Sequence, residues 1–318
     1  QIEIKEGRYG ETPFMQNPGP LGAHNWQPMA FNPELNLAYI PVQEVPDSYA
    51  TDRLFETRIQ KWNTGTNLSA GLPVDLDLAT AMALRATLKG RLVAWDPITQ
   101  SARWSVEHSN AWNGGVLSTA GGLVFQGRLE GEFAAYNAAT GEKLWHQNVK
   151  SGAASGPGTY EIDGEQYVTI TTGWGSAYAL AGGSAYDQPV PPIVGKVVTF
   201  KLGATETIPD PNLVMAPRTP KAEKFGDPDM IQLGFDQYHF NCRVCHGPLA
   251  ISSGVLPDLR WSSITANPDA WQAIVIGGAL SGNGMVSFAD ALSPSDAEAV
   301  RAYVIKQAHD GAALEAEV

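Results

Sequence analysis

The two cysteines of the 318-residue chain stand in one short stretch, CRVCH, residues 242–246. A Cys-x-x-Cys-His run is typical of c-type haem attachment, in which Cys242 and Cys245 would form thioethers to the haem vinyl groups. His246 would then be the proximal ligand of the iron. The stretch therefore predicts a covalently bound haem c.

Other uses of a close cysteine pair are a structural disulfide, a redox dithiol and half of a zinc site. A structural zinc ion takes four ligands, and the chain has no second cysteine pair. A thioredoxin-type dithiol is expected in a βαβ setting and does not need the following histidine. The complete pattern therefore favours haem over these alternatives.

A second axial ligand of the iron is expected further along the chain. Met285 lies in the glycine-rich stretch GNGMVSFADALS, after the helix-like run DAWQAIVIGG. His/Met ligation raises the reduction potential and suits electron transfer rather than oxygen chemistry. The alternatives are that Met285 fills a gap in the core, or that His239 is the ligand. His239 is too near the attachment motif to reach the opposite haem face easily, so Met285 is the prediction.

Composition narrows the function classes further. The formal net charge is −12, whereas a nucleic-acid binder normally shows a basic face. The surplus of acids is consistent with a role in solubility. No run approaches the roughly 18 uncharged apolar residues that a membrane span needs. We therefore expect neither nucleic-acid binding nor a transmembrane segment.

The elements that must position these residues fall into two parts. Residues 1–202 contain short β-like runs such as GLVFQG and KVVTFKL, and Asp163-Gly164 suits a tight hairpin turn. Residues 203–226 are rich in proline and read as a linker. Residues 227–318 have helical spacing, and the last helix is expected to begin at a Ser293 cap and to end near Gly311.

An internal repeat organises the first part. GRLVAWDPITQSARW (90–104) matches GEFAAYNAATGEKLW (131–145) position for position. Each copy reads as a strand, a turn built on Asp or Asn with Thr, and a strand ending in Trp. A repeat of about 41 residues suits the four-stranded blade of a β-propeller. The alternative is two similar hairpins of an ordinary β-sandwich.

The repeat resembles the tryptophan-docking motif of the quinoprotein alcohol dehydrogenases, eight-bladed propellers that carry pyrroloquinoline quinone (PQQ). The first copy departs from the motif, with Gln100 in place of glycine. Residues 227–318 resemble class I cytochrome c, in which Gly234 would pack the first helix against the last, near Tyr303. The LPDLR stretch (256–260) resembles the loop at the haem edge. The expected fold is mainly β: the last blades of such a propeller, followed by an all-α cytochrome c domain.

The resemblance also implies which residues face the quinone. Asn25 in GAHNWQPMAFNP, Trp112 in NAWNGG, and Gly173 with Trp174 in TTGWGSAY match PQQ contacts of the family. The docking tryptophans of the repeat have a structural role there. The family's Ca²⁺ ligands, general-base Asp and ring-forming cysteine pair lie upstream of the matching segments. We therefore expect the C-terminal part of a longer protein, with no catalytic residue in this chain.

The function implied is periplasmic oxidation of alcohols to aldehydes or ketones by PQQ and Ca²⁺. Electrons would pass singly to the haem and then to an external acceptor, such as a blue copper protein, a soluble cytochrome or membrane ubiquinone. Covalent haem attachment implies the periplasm. The alternative is an electron-transfer cytochrome fused to a non-catalytic propeller that serves as a binding module.

Overall fold

The structure, a computed structural model, describes residues 10–53, 55–57, 63–67, 77, 79–80, 83, 87–173, 194–211, 218–252 and 256–316. Thirteen strands lie within these ranges: β1 (Phe14–Gln16), β2 (Ala30–Asn32), β3 (Leu37–Glu44), β4 (Asp47–Tyr49), β5 (Lys89–Asp96), β6 (Ser101–His108), β7 (Asn113–Ser118), β8 (Leu123–Arg128), β9 (Glu132–Asn137), β10 (Lys143–Asn148), β11 (Gly158–Ile162), β12 (Glu165–Thr172) and β13 (Lys196–Lys201).

The strands form consecutive antiparallel sheets that follow the chain. Two sheets have four strands, in the orders β2-β3-β5-β6 and β7-β8-β9-β10. A third has three strands in the order β11-β12-β13, and β1 pairs with β4 alone. Apart from β4, which lies between β3 and β5 in the chain, the strands of each larger sheet follow one another in sequence, as those of a propeller blade do.

Apolar cores join each sheet to the next. The first core draws on the first two four-stranded sheets: Leu37, Tyr39, Leu92, Ala94, Val116, Val124, Ala134, Tyr136 and Ala138. The second core joins the second sheet to the third: Phe125, Phe133, Ala135, Val149, Ala153, Val168 and Ile170. Successive side chains of a strand point to opposite faces, so each sheet can contribute to the core on either side of it. The sheets therefore pack face to face.

The repeat forms the strand-turn-strand unit that the sequence predicts. In the first copy the Asp96 carboxylate accepts the backbone N–H groups of Ile98 and Thr99, at 2.9 and 3.1 Å. In the second copy Asn137 does the same for its own turn, at 2.9 and 3.2 Å. A short acceptor side chain of this kind stabilises a turn by bonding the backbone two and three residues on.

The departure of the first copy from the motif has a backbone consequence. Gln100 has a φ of 51°, in the same left-handed region as Gly141, whose φ is 76°. Left-handed backbone is costly for a residue with a Cβ atom. The turn of the first copy therefore keeps the motif's shape although it lacks the motif's glycine.

The tryptophan that ends the first copy docks on the turn of the second. Trp104 donates its indole N–H to the carbonyl of Ala138 at 3.1 Å. A Cβ atom on Gly141 would lie 2.7 Å from the Trp104 ring, so only glycine allows this close packing. Trp145 of the second copy likewise contacts Phe200 of the third sheet, with ring centroids 5.1 Å apart. The two tryptophans therefore join neighbouring sheets.

Replacing Trp104 with alanine is expected to lower the free energy of unfolding by about 3 kcal/mol, because both the ring packing and the bond to Ala138 are lost. The measurement is a urea unfolding curve followed by near-UV circular dichroism. Ile98→Ala is the control, since Ile98 is 77% exposed in the same unit. Equal unfolding midpoints for the two variants would contradict the docking role.

The C-terminal part contains four α-helices within the described residues: α1 (Pro228–Asn241), α2 (Arg243–His246), α3 (Pro268–Val275) and α4 (Pro294–Ala316). Short 3₁₀ turns lie at Pro248–Ala250, Leu259–Trp261, Ser263–Ala266 and Ser281–Asn283. Asp227 and Asn267 cap α1 and α3 by accepting backbone N–H groups of their first turns. None of the helices in the described ranges has the length and apolar character that crossing a membrane requires.

The last helix begins as the sequence predicts but ends later. The Ser293 hydroxyl accepts the N–H of Asp296 at 3.1 Å, and the Asp296 carboxylate accepts the N–H of Ser293 at 2.9 Å. The prediction that α4 ends near Gly311 is wrong, because the helix runs to Ala316. A Cβ atom on Gly311 would lie 3.0 Å from the Arg260 guanidinium. Gly311 therefore makes room for a neighbour instead of ending the helix.

The segment 218–227, just before α1, packs along α4. His309 Nε2 lies 2.8 Å from the carbonyl oxygen of Ala222, and Lys224 forms an ion pair with Asp310 at 3.0 Å. The Arg301 guanidinium also stacks on the Phe225 ring, 4.4 Å from its centroid. The second half of the predicted linker therefore packs against the helical part. The domain bounds 1–202, 203–226 and 227–318 stay a prediction.

Candidate haem site and quinone-facing segments

The attachment stretch lies at the turn between α1 and α2. Cys242 ends α1 and is half-buried, whereas Cys245 is exposed on the single turn of α2. Neither cysteine forms a disulfide. The structural-disulfide alternative therefore has no support in this geometry.

The His246 imidazole is set up to bind a metal through one nitrogen. The side chain is buried, and its Nδ1 lies 3.3 Å from the carbonyl oxygen of Pro257. Because that oxygen can only accept, Nδ1 carries the proton and Nε2 keeps its lone pair. Burial lowers the pKa of His246, so the ring is neutral near pH 7, as a metal ligand must be. The carbonyl also fixes the ring orientation.

Met285 lies where the sequence places it, on an irregular loop after α3. Gly284 precedes it with a φ of 92°, and Phe288 anchors the end of the loop by donating to Val275 at 2.8 Å. Met285 and Cys242 pack against the same apolar core of the helical part. The structure thus brings these two residues to one core, and the axial role of Met285 stays a prediction.

The LPDLR loop carries an ion pair between the buried Arg260 and the half-buried Asp258, which sequence reasoning did not single out. Arg260 donates to both carboxylate oxygens of Asp258, at 3.0 and 2.7 Å. Its guanidinium also stacks over the Trp261 ring at 4.9 Å. The same loop supplies the Pro257 carbonyl that holds His246. The Asp-x-Arg spacing is the only sequence signal for this arrangement.

The rival axial residue, His239, is enclosed in the packing between α1 and α4. It is fully buried, its Nδ1 lies 2.9 Å from the carbonyl oxygen of Phe235, and its ring contacts the Phe235 ring in a tilted arrangement with centroids 4.1 Å apart. Tyr303 of α4 contacts the same ring. Burial lowers the pKa of His239 to about 4. The imidazole is therefore a neutral part of this core at pH 7.

This pKa predicts acid sensitivity of the helical part. In the unfolded chain His239 has the ordinary histidine pKa of about 6.5. Above that pH the side chain is neutral in both the folded and the unfolded chain, so it does not change the free energy of unfolding. As the pH falls from 6.5 to 4, the unfolded chain takes up a proton that the folded chain refuses, and about 3 kcal/mol of stability is lost. His239→Phe should flatten this dependence in urea unfolding of the full-length holoprotein, followed at the haem absorbance.

His146→Phe is the control, because His146 is exposed on β10. A wild-type unfolding free energy that stays constant between pH 6.5 and 4 would contradict the assignment. So would a His239→Phe variant that keeps the wild-type slope.

Of the four residues predicted to contact the quinone, the structure describes three. Asn25 is exposed and donates its amide N–H to the carbonyl of Leu21 at 2.9 Å. Trp112 is buried and forms a small core with Leu129 and Ala154. Gly173 has a φ of 130° at the end of β12. Trp174 lies outside the described residues.

Short links bring these three residues into one neighbourhood. Leu21, which holds Asn25, packs against the core that contains Trp112. Gly173 donates its N–H to the carbonyl of Gly152 at 2.7 Å. The chain then runs from Gly152 to Ala154, which is part of the same core. The contacts of these residues with a quinone stay a prediction, but one small region of the fold holds them.

The described ranges contain no group of three or more His, Cys, Asp or Glu side chains that could hold a metal ion.

Comparison with known proteins decides the family. The glucose/ethanol/alcohol dehydrogenase β-propeller family, labelled PQQ, matches residues 8–168. The chain belongs to this family. A second family, cytochrome c oxidase, cbb3-type, subunit III, matches residues 229–304. The predicted fold, a partial propeller of the PQQ type followed by a helical cytochrome c domain, is confirmed.

Relatives in this family share both parts. Quinohemoprotein alcohol dehydrogenase ADH IIB of Pseudomonas putida is 39% identical over 97% of this chain and 44% of its own length. The dehydrogenase subunit of Acetobacter aceti alcohol dehydrogenase (quinone) is 37% identical over 92% of this chain and 40% of its own. The solved structure of ADHIIG from Pseudomonas putida HK5 superposes with a TM-score of 0.81 at 38% identity, covering 92% of this chain and 42% of that one. The chain thus spans less than half the length of these relatives.

Proposed function

We propose that this sequence belongs to a longer periplasmic protein that oxidises alcohols to aldehydes or ketones and passes the electrons to a c-type haem. The single observation that carries the proposal is the neutral His246 imidazole, whose Nδ1 faces the Pro257 carbonyl and whose Nε2 remains for iron. It follows directly on two thiols that form no disulfide. The same chain carries sheets of the dehydrogenase propeller family.

The residues of the helical part fit a haem. Cys242 and Cys245 would hold it covalently, and His246 and Met285 would bind its iron. The apolar core against which Cys242 and Met285 pack would give a bound haem surroundings of low polarity. Such a site suits electron transfer rather than oxygen binding.

The residues of the propeller part fit one side of a quinone site. Asn25 keeps an exposed amide that can bond a quinone or carboxylate oxygen. Trp112 offers an aromatic ring, and a hydrogen bond of its backbone N–H to Asn110 fixes its position. Gly173, with the adjacent Trp174, would meet the carboxylate edge of the quinone. When bound, PQQ with Ca²⁺ would supply the oxidant for the alcohol, and the haem would accept electrons one at a time.

The general base and the Ca²⁺ ligands are expected in the part of the protein upstream of residues 8–33. Electrons are expected to leave the haem for a blue copper protein, a soluble cytochrome or membrane ubiquinone. A blue copper protein or a cytochrome takes one electron and ubiquinone takes two in successive one-electron steps, so each can accept electrons singly from the haem.

The test uses the full-length protein, matured with haem and reconstituted with PQQ and Ca²⁺. Adding a primary alcohol without oxygen should reduce the haem, seen as sharp visible absorption bands. A double variant, Cys242→Ala with Cys245→Ala, should lose these bands but still oxidise the alcohol with an artificial two-electron acceptor. Haem that stays oxidised in the loaded wild-type protein would favour a non-catalytic propeller joined to an electron carrier.

A further inference from the structure

Strands β7 and β8 lose their register at one point. Between the pairs Asn113–Arg128 and Val116–Gln126, β7 has two residues, 114–115, whereas β8 has one. Two residues opposite one make a β-bulge, which bends the strand and re-aims the side chains beside it. A bulge also disrupts the local ladder of backbone hydrogen bonds.

The side chain of Gln126 fills the gap in this ladder. Its Nε2 donates to the carbonyl oxygen of Gly114 at 3.0 Å, and its Oε1 lies 2.9 Å from Nε2 of His108. Because the Gly114 carbonyl can only accept, the NH₂ group of the amide faces Gly114 and the oxygen faces His108. Nε2 of His108 therefore carries a proton and donates it. Gln126 is completely buried, so water cannot replace either bond.

The protonation of His108 is stable near neutral pH. Burial lowers its pKa to about 4, and the nearby Arg128 guanidinium acts in the same direction. The ring is thus neutral with a single N–H group, which is used in the bond to Gln126. The amide keeps one orientation as a result.

The bulge cannot shift away from Gln126. A Cβ atom on Gly114 would lie 2.6 Å from the carbonyl oxygen of Ser155 and 2.8 Å from that of Ala153. On β8, a Cβ atom on Gly127 would lie only 2.0 Å from the same Ala153 oxygen. The backbone of the bulge is therefore held between this segment on one side and the Gln126 amide on another.

Trp112 stands two residues before the bulge and is tied to it. Its backbone N–H donates to the Asn110 side-chain oxygen at 3.0 Å. The Asn113 amide in turn donates to the Asn110 carbonyl at 2.8 Å. The turn 110–113 is therefore closed on itself, and a shift of the bulge would move Trp112 with it.

We propose that Gln126 is a positioning residue, which holds the bulge at 114–115 through the Gly114 carbonyl and so aims Trp112 at the quinone. This inference rests on the proposed function, in which Trp112 contacts PQQ. Sequence reasoning missed Gln126, because a single glutamine in the run GLVFQG gives no sign that it faces a bulge. Only the register of the two strands reveals it.

The test compares Gln126→Leu and Gln126→Glu with the wild type in the full-length protein. Leucine leaves the Gly114 carbonyl without a donor, and glutamate places an acceptor against it. The dissociation constant for PQQ should rise about tenfold or more in both variants, because the bulge is no longer held in place and Trp112 moves with it, away from the position that contacts the quinone. The readout is quenching of protein fluorescence in a titration with PQQ.

A second readout does not depend on PQQ. In protein labelled with 5-fluorotryptophan, the ¹⁹F resonance of Trp112 is assigned with Trp112→Phe, and Gln126→Leu should shift it. Trp104→Ala is the control, because it weakens sheet packing while the Gln126 bonds to Gly114 and His108 remain. It should leave the Trp112 resonance and the PQQ affinity close to wild type although it lowers stability.

The outcomes separate the two proposals. A wild-type protein that fails to bind PQQ overturns the proposed function, whatever the resonance shows. A wild type that binds PQQ, with folded Gln126 variants that match it in both affinity and Trp112 resonance, overturns the positioning role alone. If the Gln126 variants lose no more PQQ affinity than Trp104→Ala does, Gln126 has only a structural role. That result would also overturn the positioning role.

Discussion

Replacing Gly234 with leucine is expected to abolish haem incorporation while leaving the propeller sheets folded. Gly234 lies where α1 crosses α4, and a Cβ atom there would come within 2.1 Å of the Ala299 carbonyl oxygen and 2.8 Å of the Tyr303 Cβ atom. Both obstacles are stiff, since one is helix backbone and the other is the first side-chain atom. The helices would have to separate, which removes the core that carries Cys242 and Met285.

Alanine at the same position gives a sharper test. Within an exposed helix, replacing glycine with alanine stabilises the fold by about 1 kcal/mol. At position 234 we expect the opposite sign, with a loss of about 3 kcal/mol from overpacking. The measurement is urea unfolding followed at the haem absorbance, with Gln232→Leu on the exposed side of α1 as the control. A Gly234→Ala protein as stable as wild type would refute the close crossing.

Sequence reasoning reached this contact because the spacing from Gly234 to the haem motif resembles that in cytochrome c. It also predicted features that short segments determine on their own. Ser293 and Asp296 form their reciprocal cap within four residues, and Asp163 with Gly164 adopts the left-handed backbone of the predicted hairpin turn, with φ values of 53° and 79°. In such cases the partners are neighbours in the chain.

Features that depend on distant partners were not predictable in this way. Gly311 looked like a helix end, but a contact with Arg260 explains the glycine and α4 continues. Gln126 looked like an ordinary strand residue, although it completes the bulge before which Trp112 stands. Both features depend on how segments that are distant in the sequence pack against each other. No local sequence pattern encodes that packing.

The same distinction applies to the two cofactor regions. The predicted haem residues Cys242, Cys245 and His246 form one continuous motif, so residue type and spacing were enough to propose them. The residues predicted to face the quinone come from separate segments, which in the described part of the chain are linked through Leu21, Gly152 and Ala154. A resemblance could name Asn25, Trp112 and Gly173, but their proximity required the fold.

Replacing Met285 with alanine in the full-length holoprotein is expected to cut alcohol-dependent haem reduction by at least about tenfold. A fall of about 59 mV in the haem reduction potential changes a one-electron equilibrium constant tenfold, and we expect a fall of at least this size. A thioether ligand raises the reduction potential of a haem, so its loss makes the haem a weaker acceptor. The covalent attachment at Cys242 and Cys245 and the His246 bond to Pro257 remain in this variant. Haem content should therefore be unchanged while the reduction potential falls.

Met230→Ala is the matched control for the Met285 variant, because Met230 is another half-buried methionine of the helical part. Its sulfur packs against Gly226, where a Cβ atom would lie 3.0 Å from it. It removes a comparable amount of apolar contact without approaching the attachment motif. A potential titration and a stopped-flow trace of haem reduction after alcohol is added should separate the two variants. If both keep the wild-type potential, Met285 only packs the core, and the sixth ligand must be sought elsewhere on the loops around His246.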